Sequence, residues 1–395
     1  MDRTLFVTND FPPRAGGIQA FVHGLASRLD PASVVVYAPR WKGCEAFDAR
    51  QPYEVVRHPT SLMLPTRRVA RRAAELARDC GTVVFGAAAP LGLLAPALRD
   101  DGARRMVMLT HGHEASWARL PIARDLLRRI GESADVVTYL GGYTRRHLAP
   151  HIAATKLVRL APGVDTSVFR PGAGGALIRR SLGLGARPVV VCVSRLVPRK
   201  GQDTLVRAWP LVRARVPDAA LLLVGGGPSR DALRRVAARS GLGDSVLFTG
   251  SVPWSALPSY YDAGDVFAMP CRTRMGGLDV EGLGIVYLEA SATGLPVVAG
   301  SSGGAPDAVR HGETGLVVDG TSHEEVADAL VELLRDPARA RVMGERGRMW
   351  IEEEWRWDLV AARFSALLGA DRTEEGPADP PRDRAIPGGG QSDPP

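Results

Sequence analysis

The segment VVVCVSRL (residues 189–196), together with the later run ALLLVGGG (220–227), decides the fold of this chain. Both runs are almost continuously apolar, and each ends in polar residues or glycine. A helix-length segment separates them. Strands that are apolar on both faces and alternate with helices are typical of a parallel sheet with helices on either side. These two runs therefore predict an α/β fold.

The same alternation continues in both directions along the chain. One set of strand-like runs covers 4–10, 33–39, 82–86, 106–112, 135–140 and 157–163, and a second set covers 189–196, 220–227, 246–252, 265–270, 296–300 and 315–319. We therefore predict two doubly wound, Rossmann-like domains, 1–170 and 189–345, joined by the glycine-rich linker 171–188. The segment 346–370 is predicted to be helical. Residues 374–395, rich in Pro, Gly and Asp, are predicted to be a disordered tail.

The overall composition fits a globular protein of two domains. A chain of 395 residues, with 45% hydrophobic residues, is too long for one ordinary core. It contains no run of about 18 uncharged apolar residues, and MDRTLFVTND at its start does not read as a signal peptide. The four cysteines, at positions 44, 80, 192 and 271, form no CxxC pair, which predicts a reducing compartment and no zinc site.

Positive charge is concentrated in the first half of the chain. Residues 1–180 hold 26 Lys+Arg against 15 Asp+Glu, whereas the remainder holds 24 against 28. This asymmetry predicts an anionic partner and leaves nucleic acid, an acidic membrane surface and a phosphorylated substrate open. An arginine-rich composition alone does not explain why the two halves differ in sign.

Ligands of doubly wound sheets bind outside the carboxyl ends of the strands, so the strand-end loops are the candidate sites. After the first strand, Gly16 and Gly17 precede a predicted helix, where paired glycines let the backbone approach an anion. After the strand 189–196, Arg195 and Lys200 would neutralise a diphosphate if they converge. An ordinary turn and two solvated cations would give the same patterns, so both readings stay open.

The stretch EGLGIVYLE (281–289) places a glutamate on either side of a predicted helix start. Because Gly284 interrupts the pattern, a helix beginning at Ile285 puts Glu281 on the loop and Glu289 inside the helix. The N–H groups of Gly284, Ile285 and Val286 would then be open to phosphate oxygens. A buried acid at 289 needs partners, and vicinal hydroxyls are suitable ones. Two acids that merely bracket a buried helix are the alternative.

Two further segments carry candidate residues. THGHEASW (110–117) places His111 and His113 at a strand end beside an acid, and no third ligand with suitable spacing accompanies them, so we predict no metal site there. In PTRRVARRAAELARD (65–79), arginines occupy one side of a helical wheel and small apolar residues the other. This segment fits an interfacial helix on anionic lipid through Arg67, Arg68, Arg71 and Arg72, or a plain surface helix.

The combination of these segments resembles the retaining GT-B glycosyltransferases of family four. Arg195 and Lys200 followed by Glu281-x7-Glu289, after a GG loop in the first domain, carry the resemblance, which covers about residues 3–370. THGHEASW and the segment 272–309 are most similar to mannosyltransferases that build phosphatidylinositol mannosides. The resemblance implies two domains facing across a cleft, with a C-terminal helix crossing back to the first, acceptor-facing domain.

The same resemblance implies a role for each candidate residue. Arg195 and Lys200 would hold the donor diphosphate, Glu289 the ribose, and Glu281 the transferred sugar. His111 would contact the sugar, with His113 as the second choice, and the catalytic residues would be His111, Arg195, Lys200 and Glu281. The remaining donor-site residues would be the backbone of 284–286, together with Gly16, Gly17, Arg272 and Arg274. The family implies GDP-mannose as donor, no metal or other cofactor, and work at the cytoplasmic face of the cell membrane on a lipid acceptor. The leaving phosphate would deprotonate the acceptor, and Glu281 would orient the sugar rather than attack it.

Three other readings are separate from this one. The same chemistry fits another nucleotide sugar, such as UDP-glucose or UDP-N-acetylglucosamine, or another acceptor, such as a diacylglycerol glycolipid or a small thiol. A nucleotide-sugar epimerase shares the fold, but its acid–base residues are not matched. A non-enzymatic basic binding protein gives Glu281 and Glu289 no role, and the absence of interleaved aromatic and basic residues argues against nucleic acid.

Overall fold

A computed structural model describes residues 3–369 of the chain. The predicted tail, 374–395, lies outside the described residues. Two parallel sheets organise the rest, as the sequence predicted. Because every strand pair in both sheets is parallel, the carboxyl ends of the strands share one edge of each sheet.

The first sheet has seven strands in the order β3-β2-β1-β4-β5-β6-β7. The strands are β1 (Arg3–Val7), β2 (Val34–Pro39), β3 (Glu54–His58), β4 (Cys80–Phe85), β5 (Arg105–Met108), β6 (Val136–Tyr139) and β7 (Leu157–Arg159). The sequence predicted six of them and missed β3. That strand forms one edge of the sheet, and its first four residues are partly or fully exposed, so it lacks the continuous apolar pattern.

The second sheet has six strands in the order β10-β9-β8-β11-β12-β13. They are β8 (Val189–Val193), β9 (Ala220–Val224), β10 (Val246–Gly250), β11 (Val266–Met269), β12 (Val297–Gly300) and β13 (Gly315–Val318). The two runs quoted first, VVVCVSRL and ALLLVGGG, contain β8 and β9, which pair at the centre of this sheet with every strand residue buried.

Helices connect the strands. In the first domain they are α1 (Gly17–Ala26), α2 (Cys44–Asp48), α3 (Arg67–Ala77), α4 (Ala95–Asp100), α5 (Glu114–Arg119), α6 (Pro121–Ser133) and α7 (Gly142–Leu148). The later helices are α8 (Gly175–Ser181), α9 (Gln202–Arg215), α10 (Arg230–Arg239), α11 (Leu257–Asp262), α12 (Ile285–Ala292), α13 (His323–Arg335), α14 (Pro337–Glu354) and α15 (Trp357–Gly369).

The two faces of the first sheet have separate cores. One core contains buried residues of α3, α4 and α6, among them Val69, Leu98 and Leu127. The other contains Phe6 and Phe21 together with residues of α15. Helices α3, α4 and α6 therefore lie side by side on one face, and α15 closes the opposite face.

The segment 171–188, predicted as a linker, contains α8 and is fixed to the second domain. The Asp262 carboxylate accepts hydrogen bonds from the Gly172 and Gly175 N–H groups at 2.8 and 2.6 Å. Arg179 pairs with Asp265, with 2.6 Å between Nη2 and Oδ2. These contacts hold the connection against α11 and the start of β11.

The predicted crossing helix, 346–370, is wrong in its bounds: residues up to Glu354 belong to α14, whose Trp350 lies in the core of the second domain, and only α15 crosses back to the first domain. The Phe364 ring lies 6.0 Å from that of Phe6, and the Trp357 ring lies 6.1 Å from that of Phe21. The Arg105 Nε donates to the Leu367 carbonyl at 2.7 Å. The architecture is thus two Rossmann-like domains, which the chain connects first through the segment that contains α8 and again through α15.

Candidate active site

The strand-end loops of the two domains meet across a cleft. A Cβ on Gly112, whose φ is +94°, would lie 2.6 Å from the Cα of Gly282, so the two backbones touch and leave no room for a side chain at this point. Nearby, the Asp307 Oδ2 of the second domain accepts from the Tyr143 N–H at the start of α7, at 3.0 Å. These contacts close one end of the cleft.

Lys200 and Glu281 meet inside this cleft. Lys200 ends a short 3₁₀ turn after β8, and its Nζ lies 2.6 Å from the Glu281 Oε2. Both residues are buried, with 9% and 7% of their surface exposed. A Cβ on Gly201 would lie 1.8 Å from the Pro270 carbonyl, so only glycine lets this turn approach the end of β11. The sequence-predicted cation and acid are therefore brought together.

Arg199, which the sequence analysis did not select, belongs to the same cluster. Its guanidinium lies 3.9 Å from Glu281 and 3.7 Å from Asp279. The signal available in the sequence was its position directly before Lys200. Arg199, Lys200 and Arg274 together give this part of the cleft three cations against the two carboxylates of Asp279 and Glu281.

The three arginines that the sequence predicted at this site differ in whether they form ion pairs. Arg195 follows β8 and is exposed, and no ion pair engages it within residues 3–369. Arg272 pairs with Asp203 at 2.9 Å, and Arg274 pairs with Asp279 at 3.4 Å. Arg195 thus has its charge available for a ligand, whereas Arg272 faces a carboxylate of its own and Arg274 shares Asp279 with Arg199. Their role at the donor stays a prediction.

Helix α12 begins at Ile285, where the sequence predicted it. Gly284 precedes it with φ +84° and ψ 72°, and no side chain of the described residues caps this end. The N–H groups of Ile285 and Val286 therefore have no partner inside the helix and face the loop that carries Glu281. An anion placed there would be stabilised by these donors and by the helix dipole.

A second glycine pair, which the sequence analysis missed, supports the Glu281 loop. The Gly304 N–H donates to the Glu281 carbonyl at 2.8 Å. A Cβ on Gly303, whose φ is +56°, would lie 2.2 Å from the same carbonyl oxygen. The pair lies in the loop after β12, so its strand-end position was the signal that could have identified it.

Glu289 lies within α12 and is buried against Tyr261. The Tyr261 hydroxyl donates to the Glu289 Oε2 at 2.6 Å. Burial raises the pKa of Glu289 to about 7, and the hydrogen bond from Tyr261 opposes that shift. Burial also raises the pKa of Tyr261, and the neighbouring Glu289 adds to that shift. One carboxylate oxygen is thus held by the phenol, and the other remains for a ligand hydroxyl.

His111 is held in one tautomer at the end of β5. Its Nε2 lies 2.5 Å from the Gly86 carbonyl oxygen, which can only accept, so Nε2 carries the proton and Nδ1 is an acceptor. Burial lowers the pKa of His111, against the opposing effect of Glu114, and therefore favours the neutral ring. His113 is exposed and pairs with the buried Glu114 at 3.2 Å. Of the two histidines, His111 is half-buried and is the less exposed one.

The GG loop reaches His111 through α1. The Phe21 ring packs edge-on against the His111 ring at 5.9 Å. A Cβ on Gly16 would lie 2.0 Å from the Gln19 Oε1, whereas one on Gly17 would meet nothing within 4 Å. Gln19, which the sequence analysis also missed, donates to Asp10 at 2.7 Å. Gly17 therefore opens the start of α1 to a ligand, and a side chain at Gly16 would displace the Gln19 amide.

The predicted interfacial helix is α3. Its buried side consists of Val69, Ala73, Ala74 and Ala77, and its arginines at 67, 68, 71 and 72 are exposed. Within residues 3–369, no group of three His, Cys, Asp or Glu side chains is placed to hold a metal ion.

Two Rossmann-like domains that close around a Lys200–Glu281 pair and an open helix N-terminus define a GT-B glycosyltransferase. The chain belongs to glycosyltransferase family four. Residues 15–168 match the family described as Glycosyltransferase Family 4, and residues 176–350 match Glycosyl transferases group 1.

Curated relatives cover nearly the whole chain. The chain is 55% identical to a Mycobacterium tuberculosis GDP-mannose-dependent alpha-(1-6)-phosphatidylinositol monomannoside mannosyltransferase, over 94% of this chain and 99% of the relative. It is 45% identical to the Corynebacterium glutamicum enzyme that acts on the monoacylated monomannoside, over 93% and 98%. Anabaena HepE, solved in complex with UDP, shares the fold at TM-score 0.79 and 19% identity, covering 93% of this chain and 99% of that chain.

Proposed function

We propose that this protein transfers mannose from GDP-mannose to a phosphatidylinositol monomannoside lipid, with retention of anomeric configuration. The relatives at 55% and 45% identity support the donor and the acceptor, because their names state both and they align over nearly their full length. The observation that carries the proposal is the juxtaposition of Lys200, Glu281 and the open N-terminus of α12 in one cleft.

The chemistry follows from where the charges lie. Breaking the bond between the sugar and the diphosphate leaves negative charge on the phosphate. Lys200, Arg195 and the N–H groups of Ile285 and Val286 stabilise that charge as it develops, which lowers the barrier. The donor enters with the Lys200–Glu281 pair already formed, so Lys200 exchanges part of its contact with Glu281 for phosphate.

Glu281 and His111 orient the sugar from opposite domains. The Glu281 carboxylate accepts from sugar hydroxyls and, paired with Lys200 at 2.6 Å, is a weak nucleophile. The neutral His111 ring offers Nδ1 as an acceptor to a further hydroxyl. The leaving phosphate takes the acceptor proton on the same face, and the Gly112–Gly282 contact keeps water from that end of the cleft.

The acceptor places the reaction at a membrane. Within residues 3–369, none of the helices combines the length and apolar character that crossing a bilayer requires. We infer peripheral attachment to the cytoplasmic face of the cell membrane, where the exposed arginines of α3 meet anionic lipid. Transfer needs no metal in this proposal, because Lys200, Arg195 and the α12 N-terminus supply the positive charge at the phosphate.

Calorimetry against a panel of nucleotide sugars tests the donor. We expect GDP-mannose to bind more tightly than UDP-glucose or UDP-N-acetylglucosamine, equally with and without Mg²⁺, and mannose to appear on phosphatidylinositol monomannoside. Glu289→Ala and Lys200→Ala should each abolish tight binding, whereas Lys42→Ala, an exposed cation in the first domain, should not. Preferential binding of a UDP-sugar would refute the donor, and intact transfer by the Glu289 and Lys200 variants would refute the site.

A further inference from the structure

A second exposed apolar feature accompanies the arginines of α3. We call residues 120–122, which are the residue that joins α5 to α6 and the first two residues of α6, the α5–α6 corner. Leu120 is 46% exposed and Ile122 is 80% exposed. The turn before α3 is comparable, because Leu62 and Leu64 are 56% and 52% exposed while Met63 between them is fully buried. We call residues 62–64 the 62–64 loop.

The 62–64 loop is held firmly in its outward-facing arrangement. The Asn9 amide bonds both backbone groups of Met63, donating to its carbonyl at 2.9 Å and accepting from its N–H at 2.7 Å. The Thr60 hydroxyl donates to the Leu62 carbonyl at 2.7 Å. The buried Met63 is therefore an anchor, and the two leucines on either side of it are presented to the exterior.

The corner and the loop lie at the same edge of the same sheet face. Helices α3 and α6 both begin after the carboxyl end of a strand, return along the sheet, and pack in one core with α4 between them. Packed helices lie 8–10 Å apart, so the axes of α3 and α6, with α4 between them, are about 20 Å apart. Four exposed apolar side chains thus occur on one rim of the first domain.

The charges around this rim favour an anionic surface. The four exposed arginines of α3 follow the 62–64 loop, and Arg124 follows the corner; of these five, only Arg72 has an ion pair, with Glu75, in the part of the chain that the structure describes. Asp125 is the acid beside the corner and it faces Arg128 at 3.7 Å. Apolar side chains beside five arginines, four of them without an ion pair among the described residues, match the interface of a bilayer that contains anionic phospholipid.

We propose that the α5–α6 corner is a second membrane-contact point, which inserts Leu120 and Ile122 into an anionic phospholipid surface while the 62–64 loop and α3 engage the same surface. This inference rests on the proposed function, because it assumes a lipid acceptor, and it adds a contact that the basic helix alone does not supply.

The corner also connects the membrane to the reaction site. Helix α5, six residues long, spans about 9 Å and begins three residues after His111. The Ser116 hydroxyl on α5 donates to the Leu278 carbonyl of the second domain at 3.0 Å. A corner seated in the interface therefore places His111 within reach of a lipid headgroup whose acyl chains stay in the bilayer.

A fluorescent label at position 122 tests the contact directly. The four native cysteines are buried, so Ile122→Cys in the full chain can be labelled selectively with an environment-sensitive dye. We expect its emission to increase and shift to shorter wavelength on phosphatidylinositol/phosphatidylcholine vesicles but not on phosphatidylcholine alone. Leu177→Cys is the matched control, because Leu177 is 63% exposed on α8 of the second domain and should not respond.

Unlabelled variants give the magnitude. Ile122→Asn should weaken partitioning to phosphatidylinositol vesicles about tenfold, and Leu177→Asn should leave it unchanged. A label at Leu64→Cys that responds while position 122 stays silent would overturn the second contact. Calorimetry with GDP-mannose separates the two proposals. If only the membrane contact is wrong, the parent protein and Ile122→Asn both bind GDP-mannose. If the donor assignment is wrong, the parent protein does not bind it either.

Discussion

Replacing Glu289 by glutamine should stabilise the protein at neutral and alkaline pH. Burial raises the pKa of Glu289 from 4.5 to about 7, so the folded state binds this proton more tightly than the unfolded state. Between those two values, the stability of the parent protein falls as pH rises, because ionising the buried carboxylate opposes folding. This difference between the two pKa values lowers the free energy of unfolding of the parent protein by about 3 kcal/mol above pH 7.

Glutamine keeps the packing and the acceptor for the Tyr261 hydroxyl but cannot ionise. The free energy of unfolding of Glu289→Gln, minus that of the parent, should therefore rise by about 3 kcal/mol from pH 4.5 to pH 8 and then level off. Urea denaturation followed by tryptophan fluorescence at several pH values measures this difference. Subtraction of the parent curve removes the titration of other groups that the two proteins share.

Glu289→Gln should have the opposite effect on donor binding: it should stabilise the fold but weaken the affinity for GDP-mannose. A carboxylate accepts ribose hydroxyls more strongly than an amide, so GDP-mannose should bind the parent more tightly as pH rises through about 7, and the variant should bind weakly at all pH values. Tyr261→Phe removes the bond that opposes the shift and should move the binding midpoint to higher pH. A stability difference that does not change with pH would refute the burial of an ionisable Glu289.

Three further predictions concern other parts of the structure. Lys200→Ala should lower kcat/KM about 100-fold in a mannose-transfer assay, with Lys42→Ala unchanged, because it removes charge where the leaving phosphate develops; a loss confined to KM would contradict this role. Phe364→Ala should destabilise the protein by about 3 kcal/mol in denaturation, because the ring is fully buried against the first domain, and a neutral result would contradict the crossing of α15. Asp307→Ala should lower kcat/KM about fivefold, because it removes the acceptor for the Tyr143 N–H at the start of α7. Asp307→Ser, which keeps an acceptor, should restore most of this activity. Equal losses in the two variants would contradict the role of Asp307 as the N-terminal cap of α7.

Much of the fold follows from local patterns in the sequence. Strands such as β8 and β9 are buried on both faces, so their continuous apolar runs identify them without tertiary information. Strand β3 was missed because it is an edge strand whose first four residues are partly or fully exposed, so it has no continuous apolar run. The anchoring of 171–188 also escaped, because it depends on Asp262, a residue distant in the sequence.

Part of the candidate site could likewise be predicted from the sequence, and part could not. Lys200, Glu281 and the start of α12 were predicted because each belongs to a short segment with its own pattern, and the fold brings them together. Tyr261 and Gln19 were missed, since a tyrosine on one helix and a glutamine on another acquire a role only through the residue that each contacts. No local spacing encodes such a contact.

Helix α15 sets an order of events during synthesis of the chain. One core of the first domain contains Phe6 and Phe21 from its earliest elements and Phe364 from α15, so the part of that face that α15 covers stays open until the whole second domain has been made. At about 5–20 residues per second, this interval lasts on the order of tens of seconds. The nascent first domain therefore exposes a surface for chaperones to cover, and chains that stop before residue 357 should be cleared or aggregate rather than accumulate as a free acceptor domain.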